Sequence, residues 1–346
     1  LEVLVNFGVF PITMKPGKRH VLGDSLSRAP HVISSSDETS AVLNAAEVPH
    51  FDRSEIVKNY ESDQFFGPVV RAVRDVWPEN VVARKQIERM LPYFEKEKDG
   101  CLMYQGRVCL PRKSISGILQ IAHDSKLGGH FGLAKTISRL SGFHWRHMLR
   151  DVRNYIKGCM PCQQFKDSRQ KNLTDPSPLE MPNRRWGSVA TDFITYLPKT
   201  KDGYDCITTW VNRLSRRVYF IPSRSSDTAV DAAKYFYCHV FKQHGLPDEI
   251  VSDRDPKFTS KFWKALMGLL GIKLKMSTSR HPQTDGSSEV MNRMVENYLR
   301  CYCSYRQDDW ADLLPSAEFA YNSALSEELG MSPFEVHLGW CPRSPL

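Results

Sequence analysis

The stretch HGLPDEIVSDRDPKFTSKFW, residues 244–263, decides the fold, because a short apolar strand runs there directly into an acid, Asp253. A second acid, Asp192, lies upstream inside the extended run WGSVATDFITYLP. A third, Glu289, follows Asp253 after 35 intervening residues and opens an amphipathic helical pattern. Three carboxylates can hold two divalent metal ions, which stabilise the attacking and leaving oxygens of a displacement at phosphorus. Hard oxygen ligands of this kind suit magnesium.

Each acid taken alone also has an ordinary structural interpretation. An Asp at the end of a strand is commonly a turn residue, and a Glu in the first turn of a helix complements the helix dipole. Asp255 competes with Asp253 for the second position, since alternate residues of an extended segment share a face. The order and spacing of the acids favour a shared metal site, and the sequence around them adds a stronger argument.

That sequence closely resembles the integrase core of gypsy-type LTR retrotransposons, which are relatives of the retroviral integrases. The resemblance covers about 183–339 and rests on long strings rather than on a short pattern. The strings are TDFITYLP, HGLPDEIVSDRDPKFTSKFW, GIKLKMSTSRHPQTDGSSEVMNR and AEFAYNSALSEELGMSPFEVHLG. The resemblance implies that Asp192, Asp253 and Glu289 are the catalytic acids and the ligands of Mg²⁺ (or Mn²⁺). The family motif places the second acid before Arg254, which selects Asp253 over Asp255.

The pattern of apolar residues independently indicates an α/β fold, because three early strands are followed by strands that alternate with helices. The resemblance implies more narrowly an RNase H-like, retroviral integrase fold. In that fold the first acid lies on the central strand, the second lies just beyond an adjacent strand, and the third lies on a helix packed alongside. Strands are predicted near 187–197, 204–211, 216–222, 248–252 and 272–276, and helices near 227–243, 258–270, 287–306 and 309–325.

A second set of candidate ligands lies upstream of the acids. His123 and His130 are followed, after a long gap, by Cys159 and Cys162 in the string GCMPC. Two imidazoles and two thiolates are the ligands of a closed tetrahedral Zn²⁺ site. The alternative is a buried thiol pair with two surface histidines. The intervening sequence predicts two helices, and it resembles the His-His-Cys-Cys module of the same integrase family, so zinc is the preferred interpretation.

Other residues near these ligands are assigned to packing or to the surface. His144 and His147 lie outside the ligand pattern. The apolar stripes of the two predicted helices are Leu133, Ile137 and Leu140 in the first and Met148, Val152, Tyr155 and Ile156 in the second.

The distribution of charge indicates a nucleic-acid partner. The chain has a formal net charge of +8, yet residues 112–171 alone hold 12 Lys and Arg against 3 Asp, while residues 31–64 hold 7 acids against 2 bases. A basic module beside a phosphoryl-transfer site is the electrostatic pattern of DNA binding. The alternative is a solvated charged helix face. The candidate DNA contacts are Arg146, Arg150, Arg153, Lys257, Arg280, His281 and Gln283. The first three are four and three residues apart and are predicted to lie near one face of a single helix.

The chain divides into segments that resemble part of a polyprotein. Residues 1–29 resemble the tail of an RNase H domain, in which Asp24 matches the last metal-binding acid, and residues 340–346 begin a C-terminal tail. Between them the sequence predicts a linker (30–60), an N-terminal extension (61–112) with a hairpin turning at Gln105-Gly106, the zinc-binding domain (113–171), a second linker (172–186) and the catalytic core (187–339). We expect neither RNase H activity nor a C-terminal DNA-binding domain in this piece.

The resemblance implies a polynucleotidyl transferase that processes the 3′ ends of element DNA and joins them to target DNA. The implied partners are double-stranded DNA, further copies of the chain and other parts of the parent polyprotein. Two alternatives remain open: a different metal-dependent nuclease on the same fold, and a catalytically inactive or host-adopted DNA-binding protein descended from an integrase. Asn212 and Tyr219 depart from the usual family residues, although neither is a ligand.

Composition limits the location of the protein. Nine cysteines without a disulfide-rich spacing indicate a reduced, intracellular chain. The sequence shows neither a secretory signal nor an apolar stretch of membrane-spanning length. We therefore expect a protein that is not secreted and is not bound to a membrane. The resemblance implies a cytoplasmic particle and then the nucleus at integration.

Overall fold

A computed structural model describes residues 52–166, 182–253, 255–276 and 286–344, with the backbone alone described at 276 and 286–290. Several predicted features lie outside the described residues. They are the RNase H tail with Asp24, most of both linkers, the loop residues Arg280, His281 and Gln283, and the side chain of Glu289.

The described chain opens with three helices, and the N-cap side chains of the first and the third accept hydrogen bonds from backbone N–H groups of their first turns. Asp52 accepts a hydrogen bond from the backbone N–H of Ser54, and the Asn80 side chain accepts from Val82 and Ala83, which satisfies amides that have no partner inside the helix. The elements here are α1 (Arg53–Tyr60), α2 (Phe66–Val73), α3 (Val81–Met90) with a 3₁₀ turn (Leu91–Tyr93), β1 (Phe94–Lys96), β2 (Leu102–Tyr104) and β3 (Arg107–Cys109).

The predicted hairpin is confirmed. Gln105 and Gly106 both have positive φ, 50° and 74°, as a two-residue hairpin turn of the twist-matched type requires. Tyr104 pairs with Arg107 across the turn. The strand β4 (Phe143–His144) then pairs in parallel with β3, so the four-stranded sheet β1-β2-β3-β4 joins the N-terminal extension to the zinc module.

The zinc module consists of short helices that share a core with the extension. Its helices are α4 (Arg112–Leu119) with a π-helical turn (Gln120–Asp124), α5 (Leu133–Arg139), α6 (Met148–Gly158) and α7 (Met160–Phe165). One buried cluster runs from Ile56 in α1 to Val152 in α6, with Leu140 and Trp145 inside it. Burying these side chains together stabilises two small segments that have little core of their own. The extension and the zinc module therefore form one folded unit.

The second half of the chain is built on a mixed five-stranded sheet in the order β7-β6-β5-β8-β9. The central strand β5 pairs antiparallel with β6 and parallel with β8, which in turn pairs parallel with β9. The two strands on either side of β5, which are β6 and β8, are largely buried, as expected for a sheet covered by helices on both faces. The strands are β5 (Ser188–Ile194), β6 (Cys206–Asn212), β7 (Val218–Ser223), β8 (Glu249–Ser252) and β9 (Lys273–Met276).

The four predicted helices of this half occur in the predicted order with two local differences, and a further helix at Pro333–Leu338 was not predicted. The predicted helix 227–243 contains a π-helical segment, Phe236–Phe241, and the predicted helix 258–270 is interrupted at Ser260. Ser260 is extended, and its hydroxyl caps the next helix by accepting from the Trp263 N–H at 3.1 Å. The helices are α8 (Ala229–Tyr235), α9 (Lys242–His244), α10 (Pro256–Thr259), α11 (Lys261–Leu269), α12 (Gly286–Tyr302), α13 (Trp310–Ser323) and α14 (Pro333–Leu338).

None of the helices in the described ranges is long and apolar enough to cross a membrane.

Side chains of α13 cover the free edge of β7. The buried Asn322 accepts from the Val218 N–H and donates to the Val218 carbonyl, both at 2.9 Å, so its amide acts as a short piece of neighbouring strand. One turn earlier, Glu318 accepts from the Phe220 N–H at 3.1 Å. An uncovered edge would offer unpaired backbone groups to another chain. Burial raises the pKa of Glu318 to about 7, against smaller opposing effects of Phe220 and Arg217.

This raised pKa predicts a stability that falls as pH rises. Between pH 4.5 and 7 the folded protein holds the Glu318 proton more tightly than the unfolded chain does, so raising the pH through that window lowers the free energy of unfolding. Glu318→Gln keeps an acceptor for Phe220 and does not titrate. We expect the wild type to lose about 1–3 kcal/mol relative to this variant between pH 4 and pH 8, as measured by urea midpoints. Glu296→Gln, at a partly exposed site, should match the wild type at both pH values. Urea midpoints of Glu318→Gln that equal those of the wild type at both pH values would contradict the assignment.

Two candidate metal centres

The structure brings the four predicted zinc ligands together. The ligand atoms of His123, His130, Cys159 and Cys162 all lie within 4.8 Å of one another. Cys159 Sγ is 3.3 Å from His130 Nδ1. Cys162 Sγ is 3.3 Å from His123 Nε2 and 3.8 Å from His130 Nδ1. In a tetrahedral zinc site with usual bond lengths, neighbouring ligand atoms are about 3.3–3.8 Å apart. The donor set and its spacing therefore fit a zinc ion.

Backbone geometry places the two histidines. The π-helical turn at the end of α4 carries His123, and the chain then folds back so that the His130 N–H donates to the His123 carbonyl at 2.9 Å. Gly128 lies against that carbonyl group, where an added Cβ would meet the His123 backbone at 2.8 Å. Gly129 takes a φ of 68°, which is the left-handed region that glycine adopts without strain. The pair of glycines in KLGGH is thus a requirement of the ligand loop.

The two cysteines lie where α6 ends and α7 begins. Cys159 is the extended residue between the helices, and Pro161 occupies the first turn of α7, where its missing N–H costs nothing. Cys162 follows in the same turn and is buried. The sharp change of direction lets both sulfurs face the histidines.

The protonation of the ligands suits metal binding. Burial, followed by the charges of His130 and Lys166, lowers the pKa of His123 to about 3, and burial also lowers the pKa of His130. Both imidazoles are therefore neutral at pH 7, as ligands must be. Burial raises the pKa of the Cys159 thiol to about 11, so metal binding has to release that proton. His144 instead stacks on Tyr104 at 4.3 Å, and neither it nor the exposed His147 belongs to the cluster.

The second candidate centre arises from the parallel pairing of β5 with β8. In that ladder Thr191 pairs with Ser252. The next residues are Asp192, inside β5, and Asp253, just beyond the end of β8, and the register sets them side by side. Neighbouring strands are about 4.8 Å apart, which is a separation two carboxylates can bridge with metal ions. Position 289 lies on α12, which contacts β5. The strands and the helix thus occupy the places predicted for the three acids.

The Asp192 carboxylate is oriented by two hydrogen bonds. Its Oδ1 accepts from the Phe193 N–H at 2.8 Å, and its Oδ2 accepts from Asn292 Nδ2 at 2.7 Å. Asn292 was not among the residues predicted from the sequence. It lies three residues after Glu289, and side chains three apart on a helix share a face. That spacing is a signal by which sequence reasoning could have found it.

The structure separates the roles of the two neighbouring acids 253 and 255. Asp255 caps α10 by accepting from the Lys257 N–H at 2.8 Å, and its own N–H donates to Asp253 Oδ1 at 3.0 Å. The Lys257 ammonium lies 4.2 Å from the centre of the Phe193 ring, on the face of β5 opposite to Asp192, because successive side chains of a strand alternate between its faces. Among the described DNA-contact candidates, Lys257 is the nearest in the chain to one of the three predicted acids, since it lies in α10 four residues after Asp253.

The three predicted arginine contacts are all exposed, but they do not share one helix. The helix α6 begins at Met148, so the prediction that Arg146 lies on it with Arg150 and Arg153 was wrong. His147 takes a left-handed φ of 66° and ends the helical path there. The Arg146 guanidinium lies 5.8 Å from the centre of the Phe65 ring, whereas Arg150 pairs with Asp151 at 3.5 Å.

Two family models match the chain over the regions that hold these centres. Residues 110–168 match the integrase zinc binding domain, and residues 180–282 match the integrase core domain. The His-Cys cluster lies in the first range, and Asp192 and Asp253 lie in the second. The chain therefore carries an integrase zinc binding domain followed by an integrase core domain of RNase H-like fold, and the cluster is its zinc site.

Comparison with individual proteins agrees with this assignment. The chain is 28% identical over 347 residues to the Transposon Tf2-3 and Tf2-4 polyproteins of Schizosaccharomyces pombe. The match covers 97% of this chain and 25% of each polyprotein, so the chain spans about a quarter of their length. The resemblance to the integrase region of an LTR retrotransposon is confirmed, and a gypsy-type element is consistent with it.

Solved structures give weaker similarities. The simian T-cell lymphotropic virus intasome in complex with PP2A regulatory subunit B56 gamma is 17% identical with a TM-score of 0.40, over 62% of this chain and 75% of that chain. The HTLV-2 integrase catalytic core domain in complex with magnesium, in its trimeric form, is 18% identical with a TM-score of 0.34, over 43% of this chain and 95% of that chain.

The zinc site predicts the effect of metal removal. Purified protein should contain about one zinc per chain, and chelation should raise hydrogen exchange in residues 113–166 first, because metal binding supplies folding free energy there. Cys159→Ser should lose the metal, as measured by elemental analysis. Cys238→Ser changes an exposed cysteine outside the cluster and should keep it. Folded wild-type protein free of zinc would contradict the site.

Proposed function

We propose that this protein is an LTR-retrotransposon integrase, which processes the 3′ ends of element DNA and joins them to target DNA by phosphoryl transfer with two Mg²⁺ (or Mn²⁺) ions. The observation that carries the proposal is the β5–β8 register, which sets Asp192 beside Asp253 while Asn292 ties α12 to the same carboxylate. Carboxylate oxygens are the donors that magnesium prefers. The acids are thus ligands rather than nucleophiles.

The chemistry consists of two displacements at one site. In the first, a water oxygen forms a bond to phosphorus near the 3′ end of the element DNA, and the P–O3′ bond breaks, releasing a dinucleotide-sized piece and leaving a free 3′-hydroxyl. In the second, that hydroxyl oxygen attacks a phosphorus of target DNA, whose P–O3′ bond breaks. When bound, the two ions would stabilise charge on the attacking and leaving oxygens. The first step hydrolyses a phosphodiester with water, and the second forms one phosphodiester while it breaks another, so no energy-rich cofactor is needed.

The protein's own residues orient the reacting groups. Asn292 and the Phe193 N–H fix the Asp192 carboxylate. Lys257, in α10 four residues after Asp253, contacts a DNA phosphate. The exposed Arg146, Arg150 and Arg153 contact DNA phosphates, which position the duplex without reading its sequence. We further propose that several copies act together, that the chain is part of a longer polyprotein, and that it works in the nucleus after a stage in a cytoplasmic particle.

Replacing single acids tests the proposal. We expect Asp192→Asn and Asp253→Asn each to abolish 3′-processing and strand transfer on oligonucleotides that match the element's ends, because a neutral amide is a poor ligand for Mg²⁺. Folding and DNA binding should remain, as measured by circular dichroism and by fluorescence anisotropy.

Asp255→Asn is the matched control, because asparagine also caps helices and Asp255 serves α10. It should retain activity. Activity in Asp253→Asn with loss in Asp255→Asn would assign the second ligand to Asp255 instead. A wild type that binds DNA and divalent metal but joins no ends would favour the alternative of an inactive or host-adopted DNA-binding protein.

The arginine contacts predict a dependence on salt. If Arg146, Arg150 and Arg153 contact phosphates, reversing all three charges should reduce the slope of log affinity against log salt by roughly one unit per lost contact. Binding should weaken equally on all DNA sequences, which a titration at several salt concentrations measures. Arg84→Glu, at an exposed site paired with Glu88, serves as the control. An unchanged slope in the triple variant would mean that these charges are only solvated.

A further inference from the structure

The loop between the two zinc-ligating histidines is held by helix α12, which belongs to the catalytic core. The Tyr298 hydroxyl donates to the Lys126 carbonyl at 2.9 Å. The Tyr302 hydroxyl donates to the Asp124 and Ser125 carbonyls at 3.0 and 2.6 Å. These carbonyls immediately follow His123. The Tyr302 ring also lies 5.2 Å from the imidazole of His130.

These contacts are partly buried. Tyr298 is 2% exposed, and its ring lies 4.6 Å from that of Tyr302. Burial raises the pKa of both phenols above their ordinary range, so the hydroxyls stay protonated and remain donors. A buried carbonyl that lost its donor would be left unsatisfied, which is costly. The hydrogen bonds therefore fix the distance between the loop and the helix.

A second set of contacts joins the same loop region to α13. Arg139 donates to the Ala320 carbonyl at 3.0 Å and to the Ser323 hydroxyl at 3.3 Å, and it also donates to the Leu127 carbonyl within the loop. Its guanidinium lies 5.5 Å from the centre of the Phe131 ring. Phe131 follows the ligand His130 directly and belongs to the buried cluster of the core domain. The zinc loop thus supplies part of the catalytic domain's own core.

The same helix reaches the acids at its other end. Asn292 on α12 bonds to Asp192, and position 289 lies one turn earlier. At 1.5 Å per residue, Tyr298 and Tyr302 lie roughly 14–20 Å along the helix from position 289. A helix is stiff over that length, so a change in how its C-terminal half is held also changes where its N-terminal half lies.

We propose that Tyr298 and Tyr302 are positioning residues that couple zinc occupancy to the placement of α12, and thereby of the third acid. Without zinc the four ligands have no common centre, and the loop 124–130 loses the shape that its carbonyl contacts require. The coupling runs through the hydroxyl groups, since these meet the loop backbone directly. The catalytic part of this inference rests on the proposed function, whereas the structural part does not.

The experiment compares the wild type with a Tyr298→Phe, Tyr302→Phe double variant of the full chain, which keeps both rings and removes both hydroxyls. In the wild type, chelation of zinc should raise the rate of hydrogen exchange in residues 291–302 about tenfold, which is the effect of losing roughly one or two net hydrogen bonds. The exchange rates of strands β5 and β6 should not change. In the double variant, exchange in 291–302 should already be fast with zinc bound.

The zinc content of the double variant should remain at about one per chain. The Mg²⁺ concentration for half-maximal strand transfer should rise several-fold, while activity at saturating Mg²⁺ is largely recovered.

Tyr305→Phe is the control, because Tyr305 is fully exposed just beyond α12, and it should behave as wild type. If the double variant folds poorly, Tyr302→Phe alone should show a smaller change in the same direction. The inference fails if chelation leaves exchange in α12 unchanged in the wild type, or if the double variant matches Tyr305→Phe. A wild type without strand transfer would overturn the proposed function, but the exchange measurements would still decide the coupling.

Discussion

The parallel register between β5 and β8 is the constraint on which the rest of the catalytic domain depends. The pairing of Thr191 with Ser252 sets Asp192 and Asp253, which have 60 residues between them in the chain, next to each other on adjacent strands inside the sheet. A slip of one residue would turn one acid to the opposite face. The two faces of these strands pack in different buried clusters, with Val189 and Ile250 in one and Val251 in the other, so such a slip would also move each of these side chains into the wrong cluster. The hydrophobic core therefore holds the acids in register without any contribution from the metal.

The zinc module is stabilised differently, because it is too small to depend on its own core. It shares one hydrophobic cluster with the N-terminal extension, through the β3–β4 pairing, and contributes Phe131 to the core of the catalytic domain. A metal centre then fixes the loop from which Phe131 projects. Small domains need such additional constraints, since the surface they bury is limited. The three segments that the sequence separates are thus packed into one continuous structure.

Sequence reasoning succeeded where function is encoded in local patterns. The His-His-Cys-Cys spacing, the hairpin at Gln105-Gly106 and the order of strands follow from ligand chemistry, turn geometry and hydrophobic periodicity, and the structure confirms all three. Sequence reasoning failed where a local backbone conformation or a tertiary contact determines the role of a residue. Arg146 fits a helical spacing, yet the left-handed backbone of His147 excludes it from α6. Tyr298 and Tyr302 lie in the amphipathic helical pattern that Glu289 opens, and nothing in that pattern shows that their hydroxyls meet a loop 170 or more residues away.

Asn292 shows how a tertiary hydrogen bond gives a function to a residue that the sequence alone does not single out. Asp192 receives one hydrogen bond from its own strand, through Phe193, and one from the helix, through Asn292. Its two oxygens are therefore oriented before any metal binds, and this lowers the reorganisation that binding requires. The other amide atom, Asn292 Oδ1, is buried and has no hydrogen-bond partner among the described residues. Because the Asn292 donor belongs to α12, the orientation of the first acid and the placement of the third depend on the same helix. Any contact that moves α12, including those at the zinc loop, acts on both acids at once.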